Sequence, residues 1–597
     1  GNLGSWTMGK TQAGVTLTIG GNVGTIGSGD ELNADIIIGG DLDSANFNSI
    51  NSATTVTANQ VLGTLVFDVG GTDHGGTYSE PTHYVFDGAT QTASVIDHVI
   101  TVTNASDLDN GDTSSISSLI ADDGGDGVSL REAILAANNT VNGISPDEIR
   151  FNIAGAGVHT ISLDTELPYL TDAVLLDATT QAGGSFTTPL IELAKSGGFT
   201  GTDTAAINVR ANDSLVSGFI VGGFVDEGIE IDGSTGAGDN NVIEHNWVGF
   251  DGTGSASGVT QDGILITVDA DNNEIRNNVI GASGEQGIHI RTDSDGNWVW
   301  GNIVGLGIDG LTDVGNTGHG IYIEGTSTGN IIGTDGDGTN DVAEGNTISG
   351  NSTGGIYITG AGTDGNVIAG NLIGTDATGT ILVGNSGNNV DINQGATNTI
   401  VGGTGAFEGN VIAGGADGIT IWSSSTTGTV VQGNYIGTDA VGTLDWGNSG
   451  SGVVVSGGAN ETLIGGTNAN EGNVIAFNNF GVAIWDWNAD NNTILRNSIY
   501  QNDQLGIEIE GLGVNTNDTD DADTGANDGQ NFPVITQADL LGTDLTLSGT
   551  LDTDGVNTPY RIEFFGNVSG TQDPTNGEGR YFLGAITVTT DGSGDAS

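Results

Sequence analysis

The side chains best placed to do chemistry sit at one position of a recurring tetrapeptide, Gly-Ile-x-Ile or its valine equivalent. It begins at Gly228, Gly263, Gly287, Gly320, Gly355, Gly418, Gly452, Gly481 and Gly506, and Asn389-Val390-Asp391-Ile392 fills the gap after Gly355. A branched apolar residue at every second position is a period-2 strand with one apolar face, so x points the other way. In order, x is Glu230, Leu265, His289, Tyr322, Tyr357, Asp391, Thr420, Val454, Ala483 and Glu508. If successive copies stack, His289 and Arg291 lie beside Tyr322 and Glu324. A base, a cation, a ring and an acid then stand together, enough to hold a sugar polymer or move a proton on one. Tyr357, Trp422 and Trp485, with Trp487 beside them, extend an outward aromatic stripe that could stack on sugar rings or pack against a protein. The plainer reading is a solvated sheet face with some rings covered by loops.

Acidic loops offer a second kind of chemistry. Asp518, Asp520, Asp521, Asp523 and Asp528 form the densest cluster. A spacing of two residues lets successive carboxylates converge, and Ca²⁺ takes several oxygen ligands. Structural calcium is therefore the cofactor expected there. Asp335-Gly336-Asp337 and Asp122-Asp123-Asp126 are sparser versions. None fits an EF-hand loop, and the glycine-rich nonapeptide calcium repeat is absent.

The repeats also say what positions these residues. Two Asn-x-Ile units accompany the tetrapeptide, as in Asn273-Glu274-Ile275 then Asn278-Val279-Ile280, and Asn366-Val367-Ile368 then Asn371-Leu372-Ile373. Successive tetrapeptides begin 24 residues apart at Gly263 and Gly287, and 35 apart at Gly228 and Gly263. Three short strands per repeat make one coil, which cannot bury its own apolar face. Stacking coils ~4.8 Å apart buries a continuous column of Ile, Val and Leu. Asn tolerates left-handed turns and forms ladders when stacked, and Gly supplies positive φ. The pattern predicts an all-β parallel β-helix. The near copies 374–380 and 437–443 read as loops on one side of the rod.

Composition fits that reading and excludes others. The chain has 597 residues, with 75 acidic against 10 basic residues and a formal charge of −65. At 36% apolar and only 14% charged residues, it is not an acidic disordered tail. The 105 glycines follow no Gly-X-Y period and proline numbers 7, which excludes collagen. Cysteine is absent, so there is no disulfide scaffold. No apolar run reaches about 18 residues, so no transmembrane segment is expected. A charge of −65 repels phosphate backbones, which argues against nucleic acid.

Five regions follow. Residues 1–70 carry a smaller Gly-rich β-solenoid: Gly1-Asn2-Leu3, Gly21-Asn22-Val23 and Gly40-Asp41-Leu42 recur at about 20 residues. Residues 71–100 are a transition. Residues 101–200 hold a capping helix and the first coils. Ser129 is its N-cap, Glu132 completes a capping box, and Leu130, Ala133, Ile134 and Ala137 share a face. A solenoid end needs such a lid. Residues 201–530 are the β-helix. Residues 531–597, with strands expected at 545–548, 560–565 and 581–588, form a partial Ig-like β-sandwich short of strands. Further coils are expected before Gly1, because the first repeat opens mid-unit.

Ser129-Leu130-Arg131-Glu132-Ala133 completes a resemblance. The chain is similar to a family of bacterial secreted and surface proteins known by a Cys-Ser-Leu-Arg-Glu-Ala (CSLREA) motif, with Val128 in the cysteine position. Leu176 to Gln181, the asparagine coils, the Asp-rich stretch ending in Asn531-Phe532-Pro533, and Tyr560 to Phe565 fit it too. The resemblance covers roughly residues 98–590 and implies a right-handed parallel β-helix in a large adhesin-like extracellular protein. It implies no catalytic residues. Gly318-His319-Gly320 resembles the histidine motif of polygalacturonase-type glycosidases. Those also need an Arg-x-Lys downstream, and no Arg or Lys occurs between Arg291 and Arg496.

The expectation is therefore a non-catalytic bacterial protein of the cell surface or exterior: adhesin, stalk, filament or matrix component. Its expected partners are glycans, other surface proteins or further copies in a filament. The competing expectation is a polysaccharide lyase or glycoside hydrolase-like enzyme, or a carbohydrate-binding module, using His289, Arg291, Tyr322, Glu324, Tyr357, Trp422 and Trp485.

Overall fold

The structure, a computed structural model, describes residues 98–597 except 144, 202–204, 512, 523 and 569–575, together with the strand backbones among residues 1–97. Three all-parallel sheets of 13, 12 and 11 strands wind around one core as a right-handed β-helix. Each coil contributes one strand to each sheet. In one coil, Glu274–Arg276 joins the 13-stranded sheet, Val279–Ile280 the 12-stranded sheet and Ile288–Arg291 the 11-stranded sheet. Thirteen strands at ~4.8 Å make a rod of roughly 60 Å.

The core is the stacked column that the repeat demands. Ile264, Ile266, Ile275, Ile280, Ile288 and Ile290 all have no exposed surface, and the same positions repeat coil after coil. At about 1.5–3 kcal/mol per buried branched side chain, this column is the main cohesion of the rod. Three asparagine ladders run beside it. At the turn into the 12-stranded sheet, Asn246, Asn278, Asn302, Asn346, Asn371, Asn410, Asn434, Asn473 and Asn497 each pass a side-chain amide hydrogen bond to the next, at 2.8–3.0 Å. A second runs from Asn241 to Asn366 and stops where Thr399, Thr429 and Thr462 replace asparagine. The third passes from Asn316 to Asn502 and ends on Glu578 of the C-terminal region. Several residues before a ladder asparagine turn left-handed, as at Asn277 (φ 54°) and Phe477 (φ 62°). After the second strand, Gly374 (φ 89°) must be glycine: a Cβ would sit 1.9 Å from the Ala413 carbonyl oxygen.

The lid forms as expected. The helix Leu130–Asn138 carries the Ser129/Glu132 capping box and buries Leu130, Ala133, Ile134 and Ala137. Glu132 is fully buried because it also accepts the Asn110 and Gly111 amides. A short helix at Ile116–Ala121, which the periodicity did not announce, packs beside it. Ahead of the helix, Val99–Val102 pairs with Asp147–Phe151 in the 13-stranded sheet.

Among residues 1–97, Leu3–Met8, Val23–Leu32, Leu42–Ile50 and Leu65–Asp68 pair in parallel in one sheet, and Val15–Ile19, Ala34–Ile38 and Val56–Thr57 in another. At the other end, Val534–Leu541, Asp544–Asp552 and Asp595–Ala596 form one antiparallel sheet, and Pro559–Gly566 with Tyr581–Thr589 a second. No helix among the described residues is long and apolar enough to cross a membrane.

Candidate functional site

The outward row of the 11-stranded sheet assembles as the spacing requires. Glu230, Leu265, His289, Tyr322, Tyr357, Asp391, Thr420, Val454, Ala483 and Glu508 pair residue by residue along the rod. The row is less open than a solvated face. Leu265 is 1% and His289 4% exposed, and Val454, Ala483 and Glu508 are buried too.

His289 is the centre of the polar part. Its Nδ1 lies 2.8 Å from a carboxylate oxygen of Asp262, itself 2% exposed. A carboxylate can only accept, so Nδ1 carries a proton and donates it to Asp262. Nε2 makes no hydrogen bond and lies 3.5 Å from Glu324. The Tyr322 ring stacks on the imidazole at 4.7 Å and 6°, and its hydroxyl donates to Glu324 at 2.8 Å. Burial pushes the Tyr322 phenol above its ordinary range. His319 stacks on Tyr357 at 4.7 Å and 16°. Burial holds it down at about 4, so it is neutral at pH 7. The Tyr357 hydroxyl bonds Asn393 at 3.1 Å.

Two coils toward the lid, the groove is acidic. Burial, with Asp226 adding repulsion, raises Glu227 to about 8. Glu230 is raised to about 7, by burial first and then by Asp232. Asn208 is hydrogen-bonded to Glu230, and Arg210 pairs with Asp232 at 3.0 Å. Arg291 also acts on Glu230, favouring its charge. Arg291 itself bonds Thr267 at 3.3 Å and has no ion pair among the described residues. Glu230, His289 and Arg291 thus fall within three coils, His289 and Arg291 on one strand and Glu230 two strands away, an acid, an imidazole and a cation of the kinds needed for proton transfer to a bound sugar.

The structure brings His289, Tyr322, Glu324 and Tyr357 together, with Arg291 alongside. It separates the tryptophans from them. Trp422 sits four strands on from His289 and two from Tyr357, about 19 and 10 Å at ~4.8 Å per strand, and is 47% exposed. Trp485 donates to Glu508 at 3.0 Å and meets the edge of Phe480. The expected stacking platform is altered as well. The rings of His289, Tyr322, Tyr357 and His319 spend their faces on one another, so they offer edges to a ligand. Among the described residues, the exposed aromatics along this stripe are Trp422 and Trp487, the latter 79% exposed.

Asp262 and Glu227 were not anticipated. Both precede the glycine of a tetrapeptide, and that position forms its own polar ladder: Gln286 N donates to Asp262, and His319 N to Gln286. The signal was the residue type before each glycine, hidden because side-chain ladders between turns leave no strand period.

At the junction, Asp518 accepts the Ala522 amide and Asp521 the Asn531 amide, while Asp520 and Asp528 are exposed. Asp523 lies outside the described residues. Among the described residues, three acidic ligand atoms come within 4.8 Å of one another at Asp335, Asp337 and Asp341 instead.

No protein-family model matches the chain. Solved structures share its coiled architecture at low identity. The Dettilon tailspike protein is 14% identical over 83% of this chain and 90% of that one, with a TM-score of 0.46. The A-module of the Azotobacter vinelandii mannuronan C-5 epimerase AlgE4 is 16% identical over 62% and 91%, at 0.33. Pectate lyase Pel9A is 14% identical over 73% and 87%, at 0.27. At these identities and scores the likeness carries no chemistry to this chain.

Proposed function

We propose that this chain is an elongated element of a bacterial cell surface or filament, of the CSLREA-motif type, that works through its surface and not by turnover. The observation that supports this reading is the asparagine ladder unbroken from Asn246 to Asn497. Such a ladder ties each coil to the next and gives the rod a stiff axis, which is what a stalk or spacer requires. The acidic surface keeps such a rod soluble and apart from its neighbours. Its partners in this reading are glycans or surface proteins, met along the exposed Trp422 and Trp487. Calcium at the 518–528 junction belongs to the same proposal. The test is antibody labelling of intact, unpermeabilised source cells with serum raised against residues 228–510. Surface labelling supports the reading; labelling that appears only after lysis overturns it.

A second reading, a polysaccharide-active groove, is favoured by one observation: the buried Asp262–His289 pair leaves Nε2 without a hydrogen bond. A screen of polysaccharides with and without Ca²⁺ tests it. Turnover that is lost in His289→Ala and Arg291→Ala would establish it over the first; no turnover on any polymer would remove it.

A further inference from the structure

A second groove lies on the 12-stranded sheet, where the rod meets the C-terminal region. Its floor is the outward row Val411, Tyr435, Val474 and Ser498, which pair in that order. Glycine-rich loops around Phe407 and Asn470 line it together with Arg496 and Arg580, in a groove of about 740 Å³. The two arginines are the notable feature. The chain has 75 acidic residues and 10 basic ones, and none of the basic ones falls between Arg291 and Arg496. Most described arginines are paired with a carboxylate: Arg131, Arg150, Arg210, Arg276 and Arg561. Arg496 and Arg580 are not, among the described residues, and both line this one groove.

Each instead lies over an aromatic ring. The Arg496 guanidinium lies 4.1 Å from the Phe582 ring centre, and that of Arg580 lies 4.0 Å from the Tyr500 ring centre. Arg496 spends one N–H on the Thr467 carbonyl at 3.0 Å. A guanidinium held over a ring face gives that contact no N–H, and its N–H fork matches a carboxylate. Phe407, 62% exposed, and Tyr435 in the floor add apolar surface, and Asn470 adds a polar group. A carboxylate and a hydroxyl-rich ring with an apolar face is the chemistry such a lining fits.

We propose that this groove binds an acidic saccharide, with a uronate-type carboxylate held between Arg496 and Arg580. The site is independent of the His289 groove and does not rest on either reading of it. A second copy of the chain could also bring carboxylates, but it would carry a charge of −65 against an equal charge. A short oligosaccharide meets mainly the local cations, because the Debye length is about 8 Å at physiological salt.

The test is calorimetric titration with a galacturonate hexamer, with a neutral galactose hexamer as the comparison. The wild-type chain is expected to bind the uronate and not the neutral sugar, more weakly as salt rises from about 0.05 M to about 0.5 M. Arg580→Gln is expected to weaken binding about tenfold or more, the loss of one charge-assisted bond. Arg580→Lys, which keeps the charge but not the fork, should fall between; an unchanged melting temperature shows that both variants are folded. Lys195→Gln removes the same charge on a distant coil and should bind as wild type. No saturable uronate binding at low salt overturns the proposal. So does wild-type affinity in Arg580→Gln, or equal weakening in Lys195→Gln. A doubling of sedimentation mass that Arg580→Gln abolishes, without saccharide binding, also overturns it and assigns the groove to a second copy.

Discussion

Replacing Asn371 by alanine tests whether the ladder holds the rod. Its carboxamide oxygen accepts the Asn346 backbone N–H at 3.0 Å and the Asn346 side-chain amide at 2.9 Å. Its nitrogen donates to Ile332 O, Ala369 O and Asn410 Oδ1 at 2.8–3.0 Å. Asn371 is 1% exposed, so water cannot replace these bonds. The Asn346 side chain keeps the Val299 carbonyl, but its backbone N–H is left buried without an acceptor. One orphaned buried amide costs about 1–3 kcal/mol, and the further bonds about 0.5–1.5 kcal/mol each. The expected loss is therefore about 3 kcal/mol. It should be local first, since each coil couples to its neighbours. Native-state hydrogen exchange at Asn346 and Asn371, with denaturant midpoints, reads it. Asn371→Asp sharpens the test. At neutral pH its carboxylate faces three acceptors, so it should be worse than alanine. It should recover as pH falls and the acid, once protonated, donates again. Exposed Ser424→Ala should stay within about 0.5 kcal/mol. If Asn371→Ala costs no more than Ser424→Ala, the ladder is an ornament of the repeat and the argument for a stiff axis fails.

Glu227 and Glu230 titrate in the folded chain at about 8 and about 7, above the ordinary 4.5. Their contribution is full below pH 4.5 and is lost as pH rises through 7 and 8, so denaturant midpoints should fall over that window and Glu230→Gln should flatten the fall. Asp376 and Asp439 run the other way. Burial alone would raise them, but the Thr378, Thr380 and Ile381 bonds to Asp376, and the Thr443 and Leu444 bonds to Asp439, bring both below 3.8. Their contribution is present above pH 3.8 and lost below it, and amide exchange at Ile381 and Leu444 should accelerate on acidification. Glu578 accepts the Gln501 and Asn502 amides and the Asn502 side chain, so Glu578→Ala should deprotect those two amides and leave mid-rod exchange unchanged. Ile368→Ala, in the fully buried column, should cost about 2–5 kcal/mol by calorimetric or denaturant unfolding.

Much of this was legible before any coordinates. The Gly-Ile-x-Ile register put His289 against Tyr322 and Tyr322 against Tyr357, and the pairing agrees. Ser129 and Glu132 announced the lid. These follow from short-range rules: a period of two, a capping pair, and a repeat that must stack to bury itself. The short helix at Ile116–Ala121 escaped because six residues carry too little periodicity. Asp262 escaped because its partner, His289, is 27 residues on and belongs to the next coil.

The sequence alone determined that the chain stacks as coils, which side chains point in, and which residues share the outward row, because a strict repeat leaves one register that buries every isoleucine. Tertiary structure alone decided what that row can do. Whether His289 is open or shut in depends on neighbouring coils and loops. Whether Tyr322 and Tyr357 offer faces or edges depends on ring torsions set by stacking on His289 and His319. That Arg496 and Arg580 share a groove depends on how the C-terminal region docks on the last coils. None of these is a local property of the chain, because each arises from contacts between residues that only the completed winding brings together.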